Sequence, residues 1–137
     1  MYDECGYAGD GVEENTRAIL EVMKNPLIRC ITHLANPRYP IDHIAVLKAA
    51  AKTGTAIEIN NASFVGSRLG SVENCKEIAK LCARFNVPVM INSDAHIAQT
   101  VGDLDAAIRV VQEAGVKWEQ IVNRTIESTF EFLGLDR

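Results

Sequence analysis

At 137 residues, 47% hydrophobic and 23% charged, the chain is long enough for one domain with a substantial core and reads as a soluble globular protein. A formal net charge of −4 supplies no basic field, so nucleic acid is not an expected partner. No apolar run approaches the roughly 18 residues of a membrane crossing. The acidic start, Met1-Tyr2-Asp3-Glu4-Cys5, lacks the apolar segment of a secretory signal, so a cytoplasmic location is expected.

Residues 1–11, rich in Gly, Asp and Tyr, read as a loop broken by Gly6, Gly9 and Gly11. Val12, Ile19, Val22 and Met23 fall near helical spacing and predict a helix to about Lys24, ended by Asn25-Pro26. Leu27 to Thr32 predicts a short buried strand stopping on His33, and the two prolines of 34–40 predict a turn. Asp42 is placed to cap a helix from His43 to about Lys52, closed by Gly54. Thr55 to Ile59 predicts a strand ending on Asn60-Asn61, followed by a polar loop from Ala62 to Gly70 that holds Ser63, Ser67 and Arg68. Ser71 is expected to cap a helix reaching Phe85.

Val87-Pro88-Val89-Met90-Ile91 then runs apolar and stops on Asn92-Ser93-Asp94-Ala95-His96, as a buried parallel strand does at the carboxyl edge of its sheet. If the strand continues through Asp94 and His96, the two side chains share one side and form a metal half-site or an acid/base pair. The alternative is a helix N-cap at Ser93 or Asp94 beside an incidental histidine. A helix from about Leu104 to Glu113, a last short strand from Trp118 to Val122 and a helix from Thr125 to Leu133 complete the chain. Strict alternation of helix and strand with short connections predicts a parallel α/β sheet with right-handed crossovers. No linker divides the chain, so residues 1–137 are expected to form a single domain, with the βα units in 12–137.

Each of the first three expected strands ends on a polar group: His33, Asn60-Asn61, and Asp94 with His96. Ligands and chemistry gather at that edge of parallel sheets, and imidazole with carboxylate suits zinc, manganese or iron. His43, at a helix start, reads as a surface residue. Glu58, between Ile57 and Ile59, reads as a structural ion-pair partner ahead of a ligand. Arg68 is equally a loop cation or an anion clamp. Cys5, Cys30, Cys75 and Cys82 form no CxxC, and the seven-residue spacing of Cys75 and Cys82 puts them on one helix face as buried free thiols.

The segments Ile31-Thr32-His33-Leu34-Ala35-Asn36-Pro37, Ile57-Glu58-Ile59-Asn60-Asn61-Ala62-Ser63-Phe64 and Asn92-Ser93-Asp94-Ala95-His96 resemble the PHP (polymerase and histidinol phosphatase) family of metal-dependent phosphoesterases. Asn36-Pro37-Arg38-Tyr39 and Ser67-Arg68 are similar to its small-phosphatase branch. The resemblance implies an α/β fold of parallel βα repeats forming part, about four strands, of a distorted seven-stranded PHP-type barrel. It implies His33, Asp94 and His96 as metal ligands, with Asp94 and His96 catalytic. It further implies hydrolysis of a small phosphate monoester by metal-bound hydroxide, with Arg68, Asn60 and Ser63 on the substrate side.

A complete member of that family opens with a His-x-His strand and further ligands, and this chain has no histidine before His33. The chain therefore resembles the C-terminal half of the domain only. With three matched ligands, at most about one divalent metal (zinc, manganese or iron) is expected per chain. Half a barrel leaves open sheet edges, so the missing N-terminal half or self-association as a homodimer is expected to cover them. The alternative to a weak or incomplete phosphatase is a non-catalytic metal-binding or interaction scaffold.

Overall fold

The computed structural model describes residues 9–65 and 70–135. The expectations for Cys5, for most of the N-terminal loop and for Ser67 and Arg68 lie outside the described residues. The elements, in chain order, are α1 (Val12–Val22), β1 (Cys30–Ile31), α2 (His43–Thr53), β2 (Ala56–Asn60), α3 (Ala62–Val65), α4 (Ser71–Phe85), β3 (Val89–Asn92), α5 (Asp105–Glu113) and α6 (Ile126–Leu133). Short 3-10 turns occupy Ala98–Thr100 and Trp118–Gln120. No helix among the described residues is long and apolar enough to cross a membrane.

The three strands are parallel and lie in the order β1-β2-β3, with Cys30 opposite Ala56, Ile57 opposite Val89, and Asn60 opposite Asn92. Strands that follow one another without a reversal, joined by right-handed crossovers, put their helices on one face of the sheet. That is the arrangement here: α2 packs on α4, α4 on α5, and α4 and α5 on the strands. Ile57, Ile59, Val89 and Ile91 enter this helix-side core with Leu47, Ile78, Cys82 and Val111. Strand alternation then turns Glu58, Asn60, Met90 and Asn92 to the opposite face. Ala56 shares that second face and is buried outside the main apolar cluster.

Local chemistry sets most element ends as expected. Asp42 accepts the Ala45 N–H at 2.9 Å and caps α2. Gly54, at φ 71°, closes the same helix in the left-handed conformation that glycine adopts without penalty. On α4, Cys75, Ile78, Ala79 and Cys82 recur at helical spacing on the buried face, and Cys75 and Cys82 are free thiols. Ser71 is not the cap of α4. It is the first helical residue, and Gly70 precedes it at φ 87°, where an added Cβ would approach Pro37 Cγ to 3.2 Å.

Three elements differ from expectation. β1 spans two residues rather than 27–32, because the Asn25-Pro26 turn continues: Asn25 Oδ1 accepts the Leu27 N–H and Asn25 O accepts the Ile28 N–H, both at 3.0 Å. The loop after β2 contains α3, opened by Asn60 Oδ1, which accepts the Ala62 N–H at 2.8 Å. The strand expected at Trp118–Val122 is a 3-10 turn followed by one parallel bridge, Val89 to Ile121. Buried Gln120 causes the bend, donating to Cys82 O at 3.0 Å and Val87 O at 2.9 Å. The Asn123 side chain then stands in for a strand, accepting the Ile91 N–H at 3.0 Å and donating to Ile91 O at 2.7 Å.

Asn61 works in a similar way across elements. It is 2% exposed, its N–H donates to Asn92 O at 2.8 Å, and its Oδ1 accepts the Ala107 N–H at 3.0 Å. Ala107 is the third residue of α5, whose own N-cap position, Leu104, supplies no side-chain bond. The helix is therefore capped from the residue that follows β2. Asn61→Ala leaves a buried N–H without a partner and is expected to cost about 1–3 kcal/mol, read as a lower urea midpoint at unchanged slope.

Candidate metal centre

His33 lies two residues beyond the end of β1 and Asp94 two residues beyond the end of β3. Both are left-handed, at φ 57° and φ 54°. Histidine and aspartate visit that region more readily than most residues, but it still costs about 1–2 kcal/mol, so the surroundings must hold them there. The left-handed turn at Asp94 also ends the extended chain. β3 stops at Asn92, so the alternation that would have set Asp94 and His96 side by side does not apply. His96 is exposed, and its ring Nδ1 lies 2.7 Å from the backbone oxygen of Asp94. A proton on that Nδ1 leaves Nε2 with its lone pair, the arrangement usual for a metal-binding histidine.

Glu58 joins the three strand ends. Its side chain is 5% exposed. Oε2 accepts the His33 backbone N–H at 2.9 Å, and Oε1 accepts Asn92 Nδ2 at 2.9 Å. A buried carboxylate needs hydrogen bonds or a cation in place of water. Among the described residues no lysine or arginine pairs with it; its one basic neighbour is His33, whose Nδ1 stands 3.6 Å from Oε2. The same Nδ1 is 3.3 Å from Asn60 Nδ2. Asn60 Oδ1 is committed to the Ala62 N–H, which fixes the amide so that Nδ2 faces the ring. The sequence points to Glu58 as an ion-pair partner, and the basic group beside it is His33. The available signal was a lone carboxylate between two isoleucines in a strand.

Other candidates sort by position. Ser63 is buried in α3. His43 opens α2 and meets Glu77 of α4, with Nδ1 at 3.1 Å from Oε2, tying two helices together. Cys30, close to Glu58, is pushed up to about 12, first by burial and then by the Glu58 charge. Cys82 is pushed up to about 12 by burial alone. Both thiols stay protonated near neutrality, which makes them poor nucleophiles. Neither is expected to react with a disulfide reagent at pH 8 in the folded protein, and both are expected to react in urea.

The donors suit a divalent ion in kind: two imidazoles and a carboxylate at one edge of the sheet. In position the His33 ring lies beside the Glu58 carboxylate, while the His96 ring meets the backbone oxygen of Asp94. Among the described residues no group of three or more His, Cys, Asp or Glu side chains is gathered to hold a metal. Beside His33 a cleft of about 450 Å³ opens between α1 and β1, with Ala18, Ile19, Val22, Ile28 and Ile31 in its walls.

A profile of the family described as PHP-associated matches residues 72–127. The chain is 55% identical over 136 residues to a probable phosphatase of Syntrophotalea carbinolica, an alignment covering 99% of this chain and 57% of that protein. It is 42% identical over 133 residues to a probable phosphatase of Thermoanaerobacter sp. (strain X514), covering 97% of this chain and 54% of the relative. A probable phosphatase of Clostridium novyi is 40% identical over the same length and coverage. The chain thus spans about half the length of the curated relatives it matches.

Proposed function

From the match of residues 72–127 to the PHP-associated family and the likeness to probable phosphatases, we propose that the chain is the C-terminal part of a divalent-metal phosphatase of the PHP family acting on a small phosphate monoester. The observation that carries this reading is the tie made by Glu58 between His33 and Asn92, with left-handed His33 and Asp94 at the same sheet edge. In this reading His33, Asp94 and His96 hold the ion. A bound divalent ion supplies Lewis acidity toward the phosphoryl oxygens and lowers the pKa of water.

The protein's own groups do the rest. Asn60 Nδ2 lies 3.3 Å from His33 Nδ1, beside the ring. The Asp94 carbonyl sets the His96 ring. In this reading Asp94 and His96 would act on the phosphate, and Arg68, Asn60 and Ser63 would form the substrate side, with Arg68 as an anion clamp. Three ligands fall short of the several that a multi-ion phosphatase needs, so the remaining donors come from the part of such a protein that this chain does not match. The half-exposed β1 edge and the cleft beside it are where that part docks, continuing the singly wound sheet toward a barrel. Among the described residues Cys30 and Cys82 are thiols outside any disulfide, which fits a cytoplasmic setting.

The test is hydrolysis of p-nitrophenyl phosphate with manganese or zinc. It is run on the chain alone and on the chain mixed with the unmatched half of the Syntrophotalea carbinolica relative. Turnover is expected to be weak alone, to rise on mixing, and to be lost in His33→Ala. No turnover in either arm, with complex formation seen by gel filtration, would favour the second reading, a non-catalytic metal-binding scaffold. A homodimer on gel filtration would instead make a second copy the partner at the β1 edge.

A further inference from the structure

We propose that the sheet is built to grow in one direction only: Asn123 and Arg124 close the edge beside β3, and β1 is the edge where a further strand adds. In a parallel ladder the residues of a strand turn their N–H and C=O groups alternately to one neighbour and to the other. On β3, Pro88 O accepts the Ile57 N–H at 2.9 Å and Asn92 O accepts the Asn61 N–H at 2.8 Å, which leaves Val89 and Ile91 facing away from β2. Val89 O accepts the Val122 N–H at 2.8 Å. The Asn123 amide takes both groups of Ile91, accepting its N–H at 3.0 Å and donating to its oxygen at 2.7 Å. The covering segment is closed in turn. Its own outward residue, Ile121, donates its N–H to Trp118 O at 3.1 Å, and the Ile121 oxygen accepts Arg124 Nη1 at 2.9 Å.

The β1 edge is open by the same count. The Ala56 N–H donates to Arg29 O at 2.8 Å, and Ile31 lies opposite Ile57, so Cys30 and Thr32 turn their backbone groups away from β2. Among the described residues those N–H and C=O groups have no hydrogen-bond partner. Cys30 is half-buried and Thr32 exposed. Beside them lies the cleft of about 450 Å³ walled by Ile19, Val22 and Ile28. Unpaired edge groups next to an apolar cleft suit an added strand, which supplies backbone bonds to the edge and apolar side chains to the cleft. The occupant is the part of the Syntrophotalea carbinolica probable phosphatase that this chain does not match, since the alignment takes in 99% of this chain and 57% of that protein. That choice of occupant rests on the reading above, whereas the closure of the β3 side stands on geometry alone.

Amide exchange followed by nitrogen-15 NMR, on the chain alone and with that unmatched part added, reads both edges. In the chain alone, Asn123→Ala is expected to speed exchange of the Ile91 amide by about tenfold or more, while α4 amides stay protected. Asn123→Asp keeps an oxygen for that N–H and is expected to restore its protection. An Ile91 amide equally slow in folded Asn123→Ala would overturn the closure. Should Asn123→Ala not fold, wild type is expected to show a scalar coupling across the hydrogen bond from the Ile91 nitrogen to the Asn123 side-chain carbonyl carbon, and its absence contradicts the closure. Adding the unmatched part is expected to slow the Cys30 and Thr32 amides about tenfold or more and to leave Ile91 unchanged. Thr32→Pro, which removes an outward N–H, is expected to weaken that association about tenfold, and Trp118→Lys, on the closed side, to leave it unchanged. The reverse pattern, or association without slowing at Cys30 and Thr32, would overturn the direction of growth. No association would overturn the occupant, and slowing that follows the chain's own concentration would put a second copy in its place. None of these readouts uses metal or turnover, so a complex that protects Cys30 and Thr32 yet hydrolyses nothing would count against the phosphatase reading and support the edge.

Discussion

Asp94→Asn is expected to lower affinity for manganese or zinc by about 100-fold or more while the protein stays folded. Asparagine tolerates the left-handed backbone that Asp94 adopts at φ 54° and nearly matches its shape, so the substitution isolates the loss of a charged oxygen ligand. Asp94→Ala loses the ligand too, and adds about 1–2 kcal/mol of destabilisation by forcing a Cβ residue without local hydrogen bonding into that turn. The pair separates binding from backbone: calorimetric titration with the metal should show equal losses, and urea unfolding should show a deficit only in the alanine variant. Unchanged metal affinity in Asp94→Asn would remove Asp94 from the ligand set.

The second large effect is structural. Ile59→Ala is expected to destabilise the fold by about 2–5 kcal/mol, because Ile59 is fully buried on the helix side of β2 within the main core. Met90, on the opposite face of β3 and only half-buried, should cost clearly less on conversion to alanine. Comparable losses at the two positions would mean that both faces of β3 are packed alike, and the placing of the main core on the helix side alone would be wrong. Addition of the unmatched half of a relative is expected to raise the Met90→Ala cost, since that face is then covered.

Local signals carried much of this architecture. Asp42 and Gly54 bracket α2 as their chemistry requires, and β2 and β3 are short β-branched runs that stop on polar residues. The positions of His33 and Asp94 past two strand ends were readable for the same reason. What a sequence window does not see is a side chain bonded to a distant backbone. Gln120 bends 118–122 into a turn through Cys82 and Val87. Asn61, readable only as a strand-end polar residue, serves as the cap of α5. Glu58 was visible as an isolated carboxylate, yet its role depends on the β1–β2–β3 order that brings His33 and Asn92 to its two oxygens. The extended strand that would have carried Asp94 and His96 in alternation stops at Asn92, and Asp94 turns left-handed.

The account turns on whether one ion bridges residues from two separate strand ends. Crystals of the chain grown with manganese, and measured for anomalous scattering, test that directly. The account predicts a peak within about 2.0–2.3 Å of ring nitrogens of His33 and His96 and of an Asp94 carboxylate oxygen. Peaks only at other side chains, with these three residues left uncoordinated at saturating manganese, would contradict it.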